Sequence, residues 1–575
     1  MQPVVASEPD GSVRVRGLRV KDAERRVGAT ALAGVVRAAE SDAAAMPRWT
    51  WSDTNRWYPL LLAAGVRIER AHDLRLAHRI LRHSVPGATL SSEQWDTMPP
   101  AALTNGALGA AGHEPATLFG APGPIEEAVE PDPLAELDAQ RAAVAGSCEA
   151  ARLRLLLAAE SAGALVAVEM YHAGVPWRAE IHEDILTEAL GPRPRAGERP
   201  ARLEDLAGRI RAALDAPAGL NLDSPRDLLR AMDHAGVGAR SLRKWELERL
   251  DHPVIEPLLE YKSLFRLMTA NGWAWLDAWV RDGRLRSEYV VGGVVTGRWA
   301  SRGGGALQLP KSVRRAVVAD PGWMFVVADA AQIEPRVLAG MAGDEAMAAA
   351  GRGADGRGAD LYEGIVASGA VATRELAKVG MLGAMYGGTT GSSGQVLPRL
   401  ARAFPRSLAF VDEAARAGER GEVVTTHLGR SSPPPGASWH ETQSGAYQDG
   451  AGEAEAARAR SSARSWGRFT RNFVVQGTAA EWAMCWMASI RRRLWALGQV
   501  PDAIDGQVPE PFAARPHLVL FLHDEVVIHT PSALAEVVAD EVRAAADEAG
   551  RLLFGDFPVK FPLSVSVAGS YAQVK

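Results

Sequence analysis

The chain has 575 residues, 47% hydrophobic and 23% charged, which supports a large buried core and excludes disorder as the main state. Its net charge of −5 excludes a protein basic overall, so any nucleic-acid partner must be met by local patches. Two cysteines, Cys148 and Cys485, exclude a disulfide framework or a cysteine-based zinc site, and no apolar run approaches the ~18 residues of a membrane span. The opening residues lack a basic-then-apolar leader, so the expectation is a cytoplasmic protein with no membrane attachment. At roughly 150 residues per domain, the length predicts three or four domains.

Residues 1–100 mix short strand-like runs, such as 13–20, with helical patterns, and 57–84 read as helix, strand, helix. Residues 101–135, rich in Ala, Gly and Pro, read as a linker. Helical periodicity occupies 136–173. Ser224 is placed to cap a helix that begins with Pro225, and a further helix runs through 257–279. No 20–50-residue repeat is visible, against a solenoid. The text changes at about 286, where SEYVVGGVVTGRWAS and WMFVVADA are strand-like. Residues 343–359 carry the low-complexity GRGADGRGAD patch, 370–387 return to helix, and 429–452 read as an exposed loop. A long helix is predicted over 472–497. HLVLFLHDEVVIHT then reads as two strands around a tight turn, an amphipathic helix covers 533–550, and FPLSVSVAGSYAQ closes as a strand. Strands on both sides of a helical insertion predict one sheet built from two distant segments.

Five segments could carry chemistry. Asp329 ends the WMFVVAD strand, beside Glu334 and Arg336; taken alone, an aspartate there simply caps the next helix. Asp524 lies in the HDE turn with His523 and Glu525, where Asp is also a plain turn residue. The two aspartates are 195 residues apart, yet one sheet would bring them together. Paired carboxylates repel unless a divalent cation lies between them, and hard oxygen ligands with open positions suit Mg²⁺ and phosphoryl or nucleotidyl transfer. In RELAKVGMLGAMYGG, Arg374 and Lys378 share a helix face that continues to Leu382 and Tyr386. That order fits a triphosphate followed by a base, or else a solvated cation pair above a core tyrosine. Only seven of the 64 basic residues are lysine, which gives Lys378 weight. In RFTRNFVVQGTAAEW, Arg468, Asn472 and Gln476 recur every four residues, a stripe of donors suited to minor-groove acceptors or merely to water. VVTGRWASRGGGALQLPKSVRR offers Arg298 and the cluster Lys311, Arg314 and Arg315, suited to phosphates or to solvent.

In this order the five segments resemble the polymerase domain of family A DNA polymerases, of the bacterial DNA polymerase I large-fragment type, over about 150–575. VADAAQIEPRVLA is similar to its Asp-Tyr-Ser-Gln-Ile-Glu-Leu-Arg motif, RELAKVGMLGAMYGG to Arg-x3-Lys-x7-Tyr-Gly, LHDEVV to Val-His-Asp-Glu, and RNFVVQGTAAEW to Asn-x3-Gln-Gly-Thr-Ala-Ala-Asp. TGRWAS with LQLP resembles the Thr-Gly-Arg…Leu-Gln-Asn-Ile-Pro stretch. The resemblance implies an α+β multidomain, right-hand fold. It places a helical thumb at 150–286, an antiparallel-sheet palm at 287–340 and 466–575, and helical fingers at 341–465. It implies a DNA-templated DNA polymerase of repair or auxiliary type, adding deoxynucleotides to a primer 3′ end. Asp329 and Asp524 would hold two Mg²⁺ ions, for which Mn²⁺ can substitute. Arg374 and Lys378 would bind the triphosphate, with Gln332, Leu382 and Tyr386 around the incoming nucleotide and Glu334 as the steric gate against a 2′-hydroxyl. Arg298, Gln308, Arg468, Asn472, Gln476, His523 and Glu525 would meet primer-template DNA. A nucleoid-associated monomer is implied.

The sequence also departs from the pattern. Ala330 and Ala331 replace the Tyr and Ser after Asp329, and that Tyr normally braces the gate. Pro335 and Leu382 replace a Leu and an aromatic, and an Asp-Ile-His-like segment reads Asp360-Leu361-Tyr362. Residues 1–135 stand where the family carries a 3′–5′ exonuclease domain but lack its Asp-x-Glu, which implies a degenerate, non-proofreading α/β domain. Two rivals remain: a single-subunit RNA polymerase, opposed by Glu334, and a catalytically dead relative that binds primer-template DNA as a scaffold.

Overall fold

The computed structural model describes residues 2–574 apart from 9, 19–23, 43, 88, 104–130, 196, 303–308, 354–355, 357, 389–390, 447–451 and 502–507. Most of the predicted linker, and Gln308, therefore lie outside the described residues. The chain divides into two units, Met1–Ala173 with Glu288–Arg302 and Pro321–Ala568, and Gly174–Ser287 with Gly303–Asp320 and Gly569–Lys575.

In the larger unit, the first sheet has the order Arg25–Gly28, Ser12–Arg16, Val4–Ser7, Arg48–Trp51, Arg70–Asp73. Its first three strands are antiparallel and its last two parallel. The 57–84 pattern appears as the helix Thr54–Ala63, the strand Arg70–Asp73 and the helix Leu74–Leu81. Asp73 is the N-cap of that last helix, accepting from Leu76 N–H at 2.9 Å.

The second sheet joins distant segments as expected. Its order is His517–Leu522, Glu525–Pro531, Trp323–Ala330, Leu563–Ala568, antiparallel throughout. Trp323–Ala330 lies between two neighbours, and its near-continuous apolar run is what a strand needs when both of its faces are covered. The helix Ala535–Phe554 packs on this strand and on Leu563–Ala568, while Ala150–Ala173 packs on His517–Leu522. The helix Ala150–Ala173, read from sequence as the start of the thumb, thus packs inside the larger unit rather than with 174–287.

Two further readings change. The helix expected over 472–497 begins 19 residues earlier and runs Glu453–Ala496. Its N-terminal half approaches the helix Pro405–Glu419 through glycines. A Cβ on Gly418 would lie 2.1 Å from Thr470 Oγ1, and one on Gly467 would lie 2.8 Å from the Ala415 carbonyl. The 429–452 stretch is not a plain exposed loop: Arg430, Ser431 and Ser432 are buried, and Ala437–Gly445 is helical.

The smaller unit is helical around Leu186, Leu206, Ile210, Leu228, Met232 and Leu258. Ser224 caps the helix Pro225–His234 as predicted. Three two-residue strands complete the unit, which also buries an Arg284–Asp320 ion pair.

In the larger unit, the long helix is fastened to the N-terminal sheet domain by Arg491. Its guanidinium donates to Glu169 at 2.7 and 2.9 Å and to the Glu69 carbonyl at 2.8 Å, and Tyr58 donates to the same Glu169 carboxylate. Removing one member of such a buried pair strands the other's charge. Arg491→Met is expected to cost about 3–5 kcal/mol. Urea unfolding followed by far-ultraviolet circular dichroism checks this.

Candidate active site

Backbone pairing brings the two aspartates together. Asp329 lies opposite Glu525 in register, and Ala330 N–H donates to the Asp524 carbonyl at 3.0 Å. Asp329 and Asp524 are part-exposed, Glu525 is buried and His523 exposed. The turn between the strands is His523–Asp524, and His523 sits at φ +60°. Glycine fits that backbone without strain, so a histidine there carries a steric cost of the kind found at functional sites.

After Asp329 the chain turns sharply. Gln332 takes φ +55°, then the helix Ile333–Ala342 begins. Arg336, buried in this helix, holds the turn from below. It donates to the Ala331, Gly351 and Lys560 carbonyls at 2.9, 2.9 and 3.1 Å and to Gln332 Oε1 at 3.0 Å. Gln332 Oε1 also accepts from Leu361 N–H at 2.9 Å. The expected nucleotide contact is thus engaged in fixing the fold.

Glu334 receives two partners. Tyr386 Oη donates to Glu334 Oε2 at 2.6 Å, and Arg298 forms an ion pair with Glu334 Oε1. Burial, then the Glu334 bond, pushes the Tyr386 phenol up to about 12, so it stays a donor. Glu334 is thereby held from two sides, although Ala330 offers it no hydroxyl. Arg298, expected on DNA, points in this structure to the carboxylate instead.

The helix Arg374–Tyr386 is capped by Thr373, whose hydroxyl accepts from Leu376 N–H at 3.2 Å. Arg374 donates twice to Asp360 Oδ2, at 2.7 and 3.1 Å, and its guanidinium lies 5.7 Å from the Tyr362 ring centroid. Lys378 is exposed one turn on, and Leu382 is part-exposed on the same face. The helix ends at Gly387, φ +76°, where a Cβ would lie 2.7 Å from Arg468 Cγ. Arg468 is exposed, and Asn472 and Gln476 are part-exposed along the long helix.

Beneath these groups lies a layer that the sequence reading did not single out. Glu160 and Arg430 form a buried ion pair at 2.8 Å. The 292–297 turn rests on both members. A Cβ on Gly292 would lie 2.6 Å from Glu160 Oε1, and one on Gly297, φ +88°, would lie 2.7 Å from Arg430 Nε. Arg298 follows directly. Thr426 N–H donates to the Arg430 carbonyl and Arg430 N–H donates to Thr426 Oγ1, both at 2.9 Å, and a Cβ on Gly477 would lie 2.3 Å from Thr426 Cγ2, which explains the glycine after Gln476. Glu481 closes the layer by accepting from Thr426 Oγ1 and from Leu428 N–H at 3.0 Å. One signal was available: Glu160 and Glu169 interrupt the largely apolar stretch 155–170 of their helix, and buried carboxylates require partners.

A scan against protein-family models matches DNA polymerase family A over residues 198–573. A Thermus filiformis protein named "DNA polymerase I, thermostable" is 27% identical over 412 residues, covering 64% of this chain and 43% of its own length. A Chloroflexus aurantiacus protein named "DNA polymerase I" is 28% identical over 388 residues, 60% of this chain and 36% of its own length. The chain therefore spans less than half of these curated relatives. A solved structure, the POL domain of Pol1 from M. smegmatis in complex with DNA primer-template and dNTP, shares the fold with a TM-score of 0.66 at 17% identity. The match covers 98% of this chain and 93% of that one.

Burial pushes the Glu481 carboxyl up to about 7 from its ordinary 4.5. The native state then keeps a proton that the unfolded chain releases. The resulting stabilisation is complete below pH 4.5 and is lost as pH rises through about 7. The melting temperature of the native protein is expected to fall relative to Glu481→Gln between about pH 5 and pH 8. Differential scanning calorimetry across that range reads the difference, and parallel curves would remove Glu481 as its source.

Proposed function

The chain belongs to DNA polymerase family A, and from that premise we propose that it extends a primer 3′ end on a DNA template with deoxynucleoside triphosphates. The convergence of Asp329, near the end of its strand, with Asp524 in the adjoining hairpin turn, and Glu334 one short turn away, carries this reading. It is supported by the fold shared with a polymerase domain solved with primer-template and dNTP.

The donor set fits hard divalent cations: two part-exposed carboxylates, which leave coordination positions for phosphates and water. Asp329 and Asp524 would hold two Mg²⁺ ions, which supply Lewis-acid activation of the primer hydroxyl and charge stabilisation on the triphosphate. The protein's own groups do the rest. Arg374, preset by Asp360, and Lys378, exposed beside it, draw the triphosphate to the start of their helix. Glu334 occupies the space below the sugar, where Tyr386 and Arg298 hold it against a 2′-hydroxyl. Asn472, Gln476 and Arg468 present donors to minor-groove acceptors that every base pair offers, so they test shape rather than sequence. Leu382, in the place of an aromatic, disfavours dideoxynucleotides.

In this reading the second sheet is the palm, the helices between its segments the fingers, and the smaller unit the thumb. The N-terminal sheet is an exonuclease-like domain without proofreading. Two of its buried carboxylates are engaged in holding the fold: Asp53 accepts from Arg75 and from Ala101 N–H, both at 2.9 Å, and Asp73 from Thr54 N–H at 2.7 Å.

Extension of a labelled primer with Mg²⁺ and dNTPs tests the function. Asp524→Ala is expected to lower the rate roughly a thousandfold, about 4 kcal/mol. Duplex binding that persists without any extension by the native protein would instead favour a scaffold. Tyr386→Phe removes one of the two holds on Glu334 and is expected to raise the ribonucleotide-to-deoxynucleotide ratio of kcat/KM roughly tenfold, the worth of one hydrogen bond to a charged group. Competition assays with paired rNTP and dNTP measure that ratio.

A further inference from the structure

We propose that an aromatic pocket beside the N-terminal half of the Glu453–Ala496 helix holds an unpaired base of the single-stranded template ahead of the nascent pair; this rests on the polymerase reading above. The pocket has a volume of about 440 Å³ and is lined by Trp439, Thr442, Ser462, Ser465, Trp466 and Phe469, among others. Trp439 comes from the helix Ala437–Gly445, and the last four from the long helix. The Trp466 and Phe469 rings lie 4.8 Å apart, tilted by 39°, so that either can offer a stacking face, and the three hydroxyl residues supply groups that pair with a base edge. The indole N–H groups of Trp439 and Trp466 have no hydrogen-bond partner among the described residues.

Charge identifies the strand to which that base belongs. Arg460, Arg464 and Arg468 are exposed and recur every four residues along the same helix, in a protein whose net charge is −5. The Arg468 guanidinium donates to Ser465 Oγ at 3.2 Å, which sets one cation at the rim of the pocket. Arginines tracking a backbone beside aromatic stacking surfaces are the recognition mode of single-stranded nucleic acid. Farther along the helix the row passes into Asn472 and Gln476. Trp466 lies ten residues before Gln476, about 15 Å at 1.5 Å per residue. That is a short run of single strand away from the base pair that Gln476 would inspect. Free nucleotides do not need the arginine row; a strand does.

The test uses the full chain and hairpin primer-templates whose 5′ template overhang is one or ten nucleotides long. Single 2-aminopurines are placed at successive overhang positions. The native protein is expected to bind the long overhang roughly tenfold more tightly, the effect of one stacked base. It is also expected to quench 2-aminopurine at one or two overhang positions. Trp466→Ala should lose both effects while keeping its affinity for the short overhang, and Trp466→Phe should keep most of both. Equal affinity for the two overhangs in the native protein would overturn the proposal, as would an overhang preference that survives Trp466→Ala. If that variant fails to fold, absence of quenching at every position in the native protein decides against the pocket. Loss of the overhang quench on adding free adenosine, which cannot be incorporated, would assign the pocket to a free nucleoside instead. A native protein that neither binds nor extends the short-overhang substrate would overturn the polymerase reading itself.

Discussion

The site depends on one strand register. Trp323–Ala330 and Glu525–Pro531 pair so that Asp329 faces Glu525 and the Asp524 carbonyl accepts from Ala330 N–H. Side chains alternate faces along a strand, so a slip of one residue would send Asp329 to the opposite side of the sheet and separate the carboxylates. What prevents the slip is burial. From Phe325 to Ala328 every side chain is buried, as is every residue from Glu525 to Pro531. Apolar packing of no chemical interest in itself thereby places two carboxylates whose mutual repulsion a divalent cation would offset.

Around this register the fold places its polar groups in two layers. The upper one meets solvent: Glu334 between Tyr386 and Arg298, and Arg374 on Asp360. The lower one is buried: Arg336 under the turn after Asp329, and Glu160 with Arg430 under the turn before Arg298. Glycines let the layers approach each other. Gly292 and Gly297 rest on the ion pair, and Gly477 lets the long helix close on Thr426. Each of these positions has room for a hydrogen and none for a methyl group.

Much of this was legible in the sequence, for local reasons. The apolar run ending at Asp329, the hairpin around His523–Asp524 and the capped helix from Arg374 are written in hydrophobic runs and capping residues that no distant segment needs to supply. The early start of the long helix was not legible. Residues 453–471 are rich in Ala, Arg and Ser with no clear apolar stripe, and they pack through Gly467 and Thr470, residues that do not read as core. The helix Ala437–Gly445 was hidden by Ser, Gly and Pro around it. At the site, Glu334, Tyr386 and Arg298 were each recognised, but not that they touch. Their contact joins three segments far apart in sequence, and no spacing rule reports it. That Glu334 is held from two sides became visible only in three dimensions.

The buried pair of Glu160 and Arg430 has a consequence for how this protein can change. The two positions are 270 residues apart and neither is at the surface. Altering one alone leaves a solitary charge in the interior and unsettles the turn that delivers Arg298, so single-step paths through either site are closed. Only concerted replacement is open, and it must also respect the two glycines seated on the pair. In a drifting lineage the four positions would be inherited as one character, and their joint substitution would mark a repacked 292–297 turn.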